Sequence, residues 1–361
     1  MSASAKNSNS PNLFSALICG VTLGLVVCVF PASAQVNVVS AARVNELIAQ
    51  VKSKAPDEMV LKNAREVGQF LLNEKRYAEA AQLFEALVEK QPRNALALYG
   101  AALATFNLGT PAEAEPIARA AVEAINSASA GFSNASREQR GQAADALVLL
   151  AVIVAVRGDD QQSLKIAESA VTIAPDHFDA QFTLGRALYS AGDPIRAAQA
   201  FRTAVSLNPT DPRALFFLGT TLEQAGDLEG AVRSYRQLVL NQPLAAEGHL
   251  GLGIVLVKRG EVNEGVKELE RALVIEPNLY EAQVTIGRSL VAQGRPAESL
   301  DHLIRAAQLA PGNPEPHYQL SLAYRRLGRN DKAAEESEVV RRIHESRRAG
   351  PATSNTQKQP E

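Results

Sequence analysis

Tryptophan is absent from this sequence, and in 361 residues cysteine and methionine occur only twice each and histidine five times. Both cysteines, Cys19 and Cys28, fall in an apolar N-terminal segment. If that segment is removed, no thiol remains. A disulfide framework, a thiolate nucleophile and a cysteine-based zinc site are then excluded. No sign of charge dominates either, since 37 Lys and Arg face 39 Asp and Glu. That balance supplies neither the basic surface that nucleic acid requires nor an acidic solvating tail. The five histidines, His177, His249, His302, His317 and His344, are scattered, and none forms an HExxH motif or an i,i+4 ligand pair. There is no G-x-S-x-G, no P-loop and no dinucleotide fingerprint. The expectation is a chain that is not an enzyme and takes no cofactor or metal.

What the sequence has is helix-forming residues and a period. Ala, Leu, Glu, Arg and Gln are abundant. From residue 144 onward, features recur every 34 residues, in units starting at Ala144, Phe178, Pro212, Ala246, Tyr280 and Pro314. The fifteenth position is Gly158, Gly192, Gly226, Gly260, Gly294 and Gly328. The thirty-second is Pro175, Pro209, Pro243, Pro277 and Pro311 in all but the last unit. Two earlier units, starting at Leu61 and Ala95, fit the same frame, which makes eight. Each unit reads as two amphipathic helices. The central glycine ends the first in a left-handed turn, and the late proline stops the second. Small residues at positions eight, twenty and twenty-seven, such as Gly185, Ala197 and Ala204, let the two helices approach closely. No unit buries its apolar faces alone, so stability must come from stacking on neighbours.

The N-terminus carries an export pattern. Residues 1–12 are polar with one positive charge, Lys6, and Leu13 to Phe30 is an uncharged run of 18 residues. Pro31 and Ala32-Ser33-Ala34 follow, which is the order of a secretory signal peptide, and cleavage after Ala34 would leave Gln35 first. The chain is therefore expected to be exported, to a periplasmic or extracellular site. Eighteen apolar residues can also just span a bilayer. Retained, the segment would be a membrane tether.

The strings Leu184-Gly185…Leu188…Gly192…Ala197…Phe201…Ala204…Pro209 and Leu218-Gly219…Leu222…Gly226…Ala231…Tyr235…Pro243 resemble the tetratricopeptide repeat, or TPR, family. The resemblance covers residues 61–347. It implies an all-α fold, a right-handed superhelix of about eight helix-turn-helix repeats that binds a protein or peptide partner. One departure is the fourth position, often Trp in the family and here Leu, Gln or His. That should loosen some packing within a repeat. His249 and His317 occupy this position and read as packing residues. The resemblance also implies that positions five, nine and twelve line a concave groove. On that basis the candidate binding residues are Tyr99, Phe106, Phe182, Arg186, Tyr189, Phe216, Leu250, Ile254, Arg288, Tyr318 and Arg325. Aromatic side chains and arginines are the residue types that anchor interfaces and pair with carboxylates. Family members that grip a partner's C-terminal carboxylate use Lys at position five and Asn at position nine. No unit here has either, so that clamp is not expected.

The expected domains are a signal peptide at 1–34, an N-terminal capping segment at 35–60 with an amphipathic helix over 41–56, the repeats at 61–347 and a disordered tail at 348–361. Fifteen extra residues after the second unit, 126–140, read as a longer loop. The charged helix Asp331–Arg348 suits the solvated face of a terminal cap. The expected function is an exported scaffold or adaptor in the assembly or export of a cell-envelope component.

Overall fold

The computed structural model describes residues 39–128 and 135–349. The predicted signal segment lies outside them, as do residues 129–134 of the predicted loop and 350–361 of the predicted tail. The chain forms two compact units divided between Ala174 and Pro175. Both are built from α-helices, and no strand occurs among the described residues.

The first unit holds α1 (Ala41–Lys52), α2 (Glu58–Asn73), α3 (Tyr77–Lys90), α4 (Ala95–Asn107), α5 (Pro111–Ala128), α6 (Arg137–Val156) and α7 (Asp160–Ile173). Helix α1 packs on α2 and α3 through Val44, Leu47 and Val51, all buried, and covers the open end of the first hairpin. The hairpins α2–α3, α4–α5 and α6–α7 then stack in chain order. The second unit holds α8 (Phe178–Ser190), α9 (Pro194–Leu207), α10 (Pro212–Gln224), α11 (Leu228–Asn241), α12 (Ala246–Arg259) and α13 (Val262–Ile275). It continues with α14 (Tyr280–Ala292), α15 (Pro296–Leu309), α16 (Pro314–Arg326) and α17 (Asn330–Ala349). Five hairpins stack there, each first helix after α8 packed on its own partner and on the second helix before it.

The extra residues after the second unit are only partly a loop. Helix α5 runs to Ala128 and α6 begins at Arg137, so seven of the fifteen residues assigned to a loop are helical. A capping box causes the early start. Ser136 Oγ accepts from the Gln139 N–H at 3.2 Å, and Gln139 Oε1 accepts from the Ser136 N–H at 2.9 Å. Asp145, which the repeat frame sets beside a helix start, therefore lies mid-helix. Helix α6 is long and apolar enough to cross a membrane by length and composition. However, Ala146–Val154 are all buried in the first unit, as suits a helix covered on several sides.

Each hairpin turns at the fifteenth repeat position. At Gly192 φ is +79°. The Gly192 N–H donates to Tyr189 O at 3.0 Å and the Asp193 N–H to Leu188 O at 3.0 Å, a helix end that requires the left-handed conformation. Asp193 Oδ1 then accepts from the Arg196 N–H at 3.1 Å and caps the next helix. The first hairpin makes the same turn with Lys75, at φ +59°, the one non-glycine residue in this region of the map among those described. The Arg76 N–H donates to Leu71 O at 2.8 Å. Because a side chain in that conformation costs roughly 1–2 kcal/mol, Lys75→Gly should stabilise the chain by about 0.5–1 kcal/mol after the greater freedom of unfolded glycine is subtracted. A urea titration in which the midpoint falls instead would contradict this.

The hairpins are packed by a size rule between positions eight and twenty-four. Where position eight is glycine, position twenty-four is large: Gly68 with Phe84, Gly185 with Phe201, Gly219 with Tyr235, Gly253 with Leu269 and Gly287 with Leu303. A Cβ on Gly185 would lie 2.7 Å from the Phe201 ring, and one on Gly219 2.8 Å from the Tyr235 ring. Where position eight carries a side chain, its partner shrinks. Ala102 is matched by Ala118, Ala151 by Ala167 and Ser321 by Ser337, the last pair with hydroxyls 2.8 Å apart. A bulky side chain at position twenty-four thus occurs only where position eight has none, so that no crossing is overpacked.

Position four is not a point of loosened packing. Three hairpins join it to position twenty-three by a side-chain hydrogen bond: His249 to Glu268 at 2.7 Å, Gln283 to His302 at 2.8 Å, and His317 to Glu336 at 2.6 Å. The same position reaches back to the proline carbonyl that ends the preceding repeat. Gln181 Nε2 donates to Pro175 O at 2.8 Å, and His249 Nε2 lies 3.0 Å from Pro243 O. Polar groups thereby replace the bulk of an indole and satisfy a carbonyl left open at a helix end.

Candidate protein-binding face

In the first unit, Tyr99 and Phe106 on α4 are half-buried and pack against the core. In the second, the candidates divide by exposure. Phe182 and Leu250 are core residues, each 6% exposed. Arg186, Tyr189, Phe216 and Ile254 are half-buried, while Arg288, Tyr318 and Arg325 are exposed. Phe182 contacts Phe201 and Phe217 edge to face, with centroids 5.7 and 5.6 Å apart, so its ring is spent on packing.

Several inward positions are also occupied by bonds between successive first helices. The hydroxyl of Tyr189 accepts from Gln224 Nε2, Glu223 pairs with Lys258, and Arg326 donates to Val291 O. Each bond links position twelve of one repeat to position thirteen of the next. Comparing residues 35 apart in the sequence would have revealed this ladder, which a single-repeat template hides. Thr220 is similarly engaged, 2.9 Å from the Tyr235 hydroxyl. Arg325 donates to Ser337 Oγ at 3.3 Å.

One contributor to the face was not singled out from the sequence. Arg213, at the start of α10, lies over the Phe182 ring at 5.0 Å from its centroid. Its guanidinium donates to Asp211 at 2.9 Å and sits 3.8 Å from Asp179. Arg186, one turn beyond Phe182 on α8, has no such carboxylate among the described residues. Burial, reinforced by the charge of Arg213, pushes its pKa down. Burial likewise raises the pKa of Tyr189. The arrangement is a surface of aromatic, aliphatic and cationic side chains held in fixed places by helix packing. No proton-transfer pair is assembled on it among the described residues.

These hairpins are tetratricopeptide repeats. One tetratricopeptide repeat family model matches residues 68–130, 182–239 and 218–279, and a second matches residues 290–346. The chain belongs to the tetratricopeptide repeat family, whose members bind protein or peptide partners. No curated protein matches it. Among solved structures it is similar to MamA from Desulfovibrio magneticus RS-1, at 20% identity over 47% of this chain and 96% of that one, with a TM-score of 0.45. It is similar to PilF of Pseudomonas aeruginosa at 18% identity over 59% and 99%, with a TM-score of 0.49. It is also similar to YrrB, described as a TPR protein with an unusual peptide-binding site, at 20% identity over 50% and 92%, with a TM-score of 0.43. At such identities nothing beyond the fold carries over.

Proposed function

We propose that the chain is an exported scaffold that holds a protein or peptide segment against its first helices and serves the assembly or export of a cell-envelope component. It acts by binding and not by catalysis. The observation that carries the binding part is the surface of the second unit. Tyr318, 52% exposed, and the exposed Arg288 and Arg325 stand on first helices, as do the half-buried Phe216 and Ile254 of earlier repeats. Aromatic and arginine anchors of this kind supply most of the energy of protein interfaces. The export part is supported by the order of Lys6, Leu13–Phe30 and Ala32-Ser33-Ala34. The same apolar run, 18 residues long, favours a second reading, a membrane-tethered structural subunit that keeps its N-terminal anchor.

Both parts can be tested in cells. A photo-crosslinking residue placed at Tyr318 or Arg288 should give a discrete adduct with another protein. The same residue at Arg233 or Leu240, exposed on a second helix, should not. Adducts arising only from the second-helix positions would move the binding surface elsewhere. N-terminal sequencing of the purified protein should begin at Gln35. A start at Met1 or Ser2 would favour the tethered subunit.

A further inference from the structure

The charges around Arg186 do not balance. Three carboxylates on or next to α8 and α10 already have a cation. Asp211 and Asp179 flank Arg213, at 2.9 and 3.8 Å, and Glu223 is paired with Lys258. Arg186 itself has no hydrogen bond or ion pair among the described residues, although it is half-buried and the charge that acts on it is another guanidinium, that of Arg213. A buried charge ordinarily has a partner, because desolvation is otherwise uncompensated. The neighbouring hydroxyls are not free to serve, since Tyr189 is bonded to Gln224, and Thr220 to Tyr235.

We propose that Arg186 receives the carboxylate of an acidic side chain, Glu or Asp, from a segment of a partner protein laid across α8 and α10. This rests on the scaffold reading above and names the chemistry of its ligand. A planar carboxylate fits the fork of a guanidinium, and the low-dielectric setting strengthens the pair. A side chain is a better fit than a chain terminus. A long acidic side chain can reach a half-buried cation while its own backbone stays outside. A terminal carboxylate would bring main-chain N–H and C=O groups down between the half-buried Phe216 and Tyr189, where the available hydroxyls are already used. Those two rings stand on α10 and α8 and favour apolar residues beside the acid.

The test uses the whole chain and two variants, R186Q and R186M. In the absence of any ligand, R186M should melt about 2–4 °C higher than the parent, because it removes an uncompensated charge. A lower melting temperature would show that Arg186 is already satisfied and would overturn the proposal. Random dodecapeptides displayed on phage through their C-terminal ends, and so without a free carboxylate, are then selected on the parent protein. Winning peptides should carry Glu or Asp beside an apolar residue. Changing that acid to its amide should weaken binding tenfold or more on the parent and less than twofold on R186Q. Peptides that bind the parent and R186Q equally would discard the Arg186 site and leave the scaffold reading standing. Binders recovered only from a parallel library with free C-terminal ends would overturn the side-chain assignment. A library that yields no binder at all would count against the scaffold reading and this site together.

Discussion

Phe201→Ala is expected to cost about 3–5 kcal/mol, and adding Gly185→Ala to it should return part of that loss. The ring of Phe201 is fully buried. It stacks on Phe217 at 5.5 Å, meets Phe182 at 5.7 Å and lies directly over the bare backbone of Gly185. Truncation leaves a void bounded by three helices that cannot collapse independently. By itself, Gly185→Ala should also destabilise. Its new Cβ would stand 2.7–2.8 Å from three ring atoms that have no space to withdraw, an overpacking worth roughly 1–3 kcal/mol, which exceeds the gain of about 0.8–1.0 kcal/mol from replacing a helical glycine. Gly141 supplies the control. It lies in α6 with nothing within 4 Å of its would-be Cβ, so Gly141→Ala should stabilise by about that propensity gain. The double variant, with alanine at both positions of the α8–α9 crossing, would reproduce the combination already present at Ala102 and Ala118, and at Ala151 and Ala167. It should therefore lose less than the sum of the singles, as contacting residues do. Denaturant midpoints of the parent, the two singles and the double decide it, and strict additivity would show that the two positions do not share one volume.

That size rule was written in the sequence in full, yet the repeat frame alone did not expose it. Position eight is small throughout, while position twenty-four has no common character, because Phe, Tyr, Leu, Ala and Ser alternate there. The regularity lies in the pair, and only the contact between the helices says which two columns to compare. The hairpin turns were more legible. A glycine at a fixed position has one strong physical reason to recur, and Lys75 shows that the turn forms even when the residue is unsuited to it. The segment 126–140 departs from its loop expectation for the opposite reason. Its composition is that of a loop, but Ser136 and Gln139 form a capping box that starts α6 seven residues before the periodic frame does. At the candidate face, the sequence placed side chains on first helices without ranking their availability. Position twelve looked like a contact site, and in Tyr189 and Glu223 it is spent on bonds to the following helix. Phe182 looked like an anchor and is part of the core. Such assignments depend on what lies 35 residues away, which a pattern of period 34 conceals.

Removing the carboxylate of Glu268 is expected to be the most damaging polar change in the second unit. Its side chain is 10% exposed and joins α13 to α12 through His249, at 2.7 Å, and holds Arg271 on its other oxygen at 2.5 Å. Glu268→Ala strips the partner from the ring nitrogen of a histidine whose side chain is only 6% exposed. Leaving such a group unpaired costs about 1–3 kcal/mol before any loss of packing is added. The other ring nitrogen, 3.0 Å from Pro243 O, cannot compensate without releasing that carbonyl. A sharper experiment separates the bond from the particular residues. The next hairpin makes the same bridge with the chemistry reversed, Gln283 on the first helix and His302 on the second, 2.8 Å apart. There too the first-helix residue reaches the preceding proline carbonyl, Pro277 O, at 3.4 Å. The double change His249→Gln with Glu268→His transplants that pair into the α12–α13 hairpin. It should recover most of what Glu268→Ala loses, because both the cross-helix bond and the bond to Pro243 O can be remade. Arg271, itself 63% exposed, returns to solvent when the pair is lost, which limits the cost of that loss. If the transplanted pair is no more stable than Glu268→Ala in the same denaturant series, the bridge is not a unit that can be exchanged between repeats. The stabilisation would then belong to the charge on Glu268 itself.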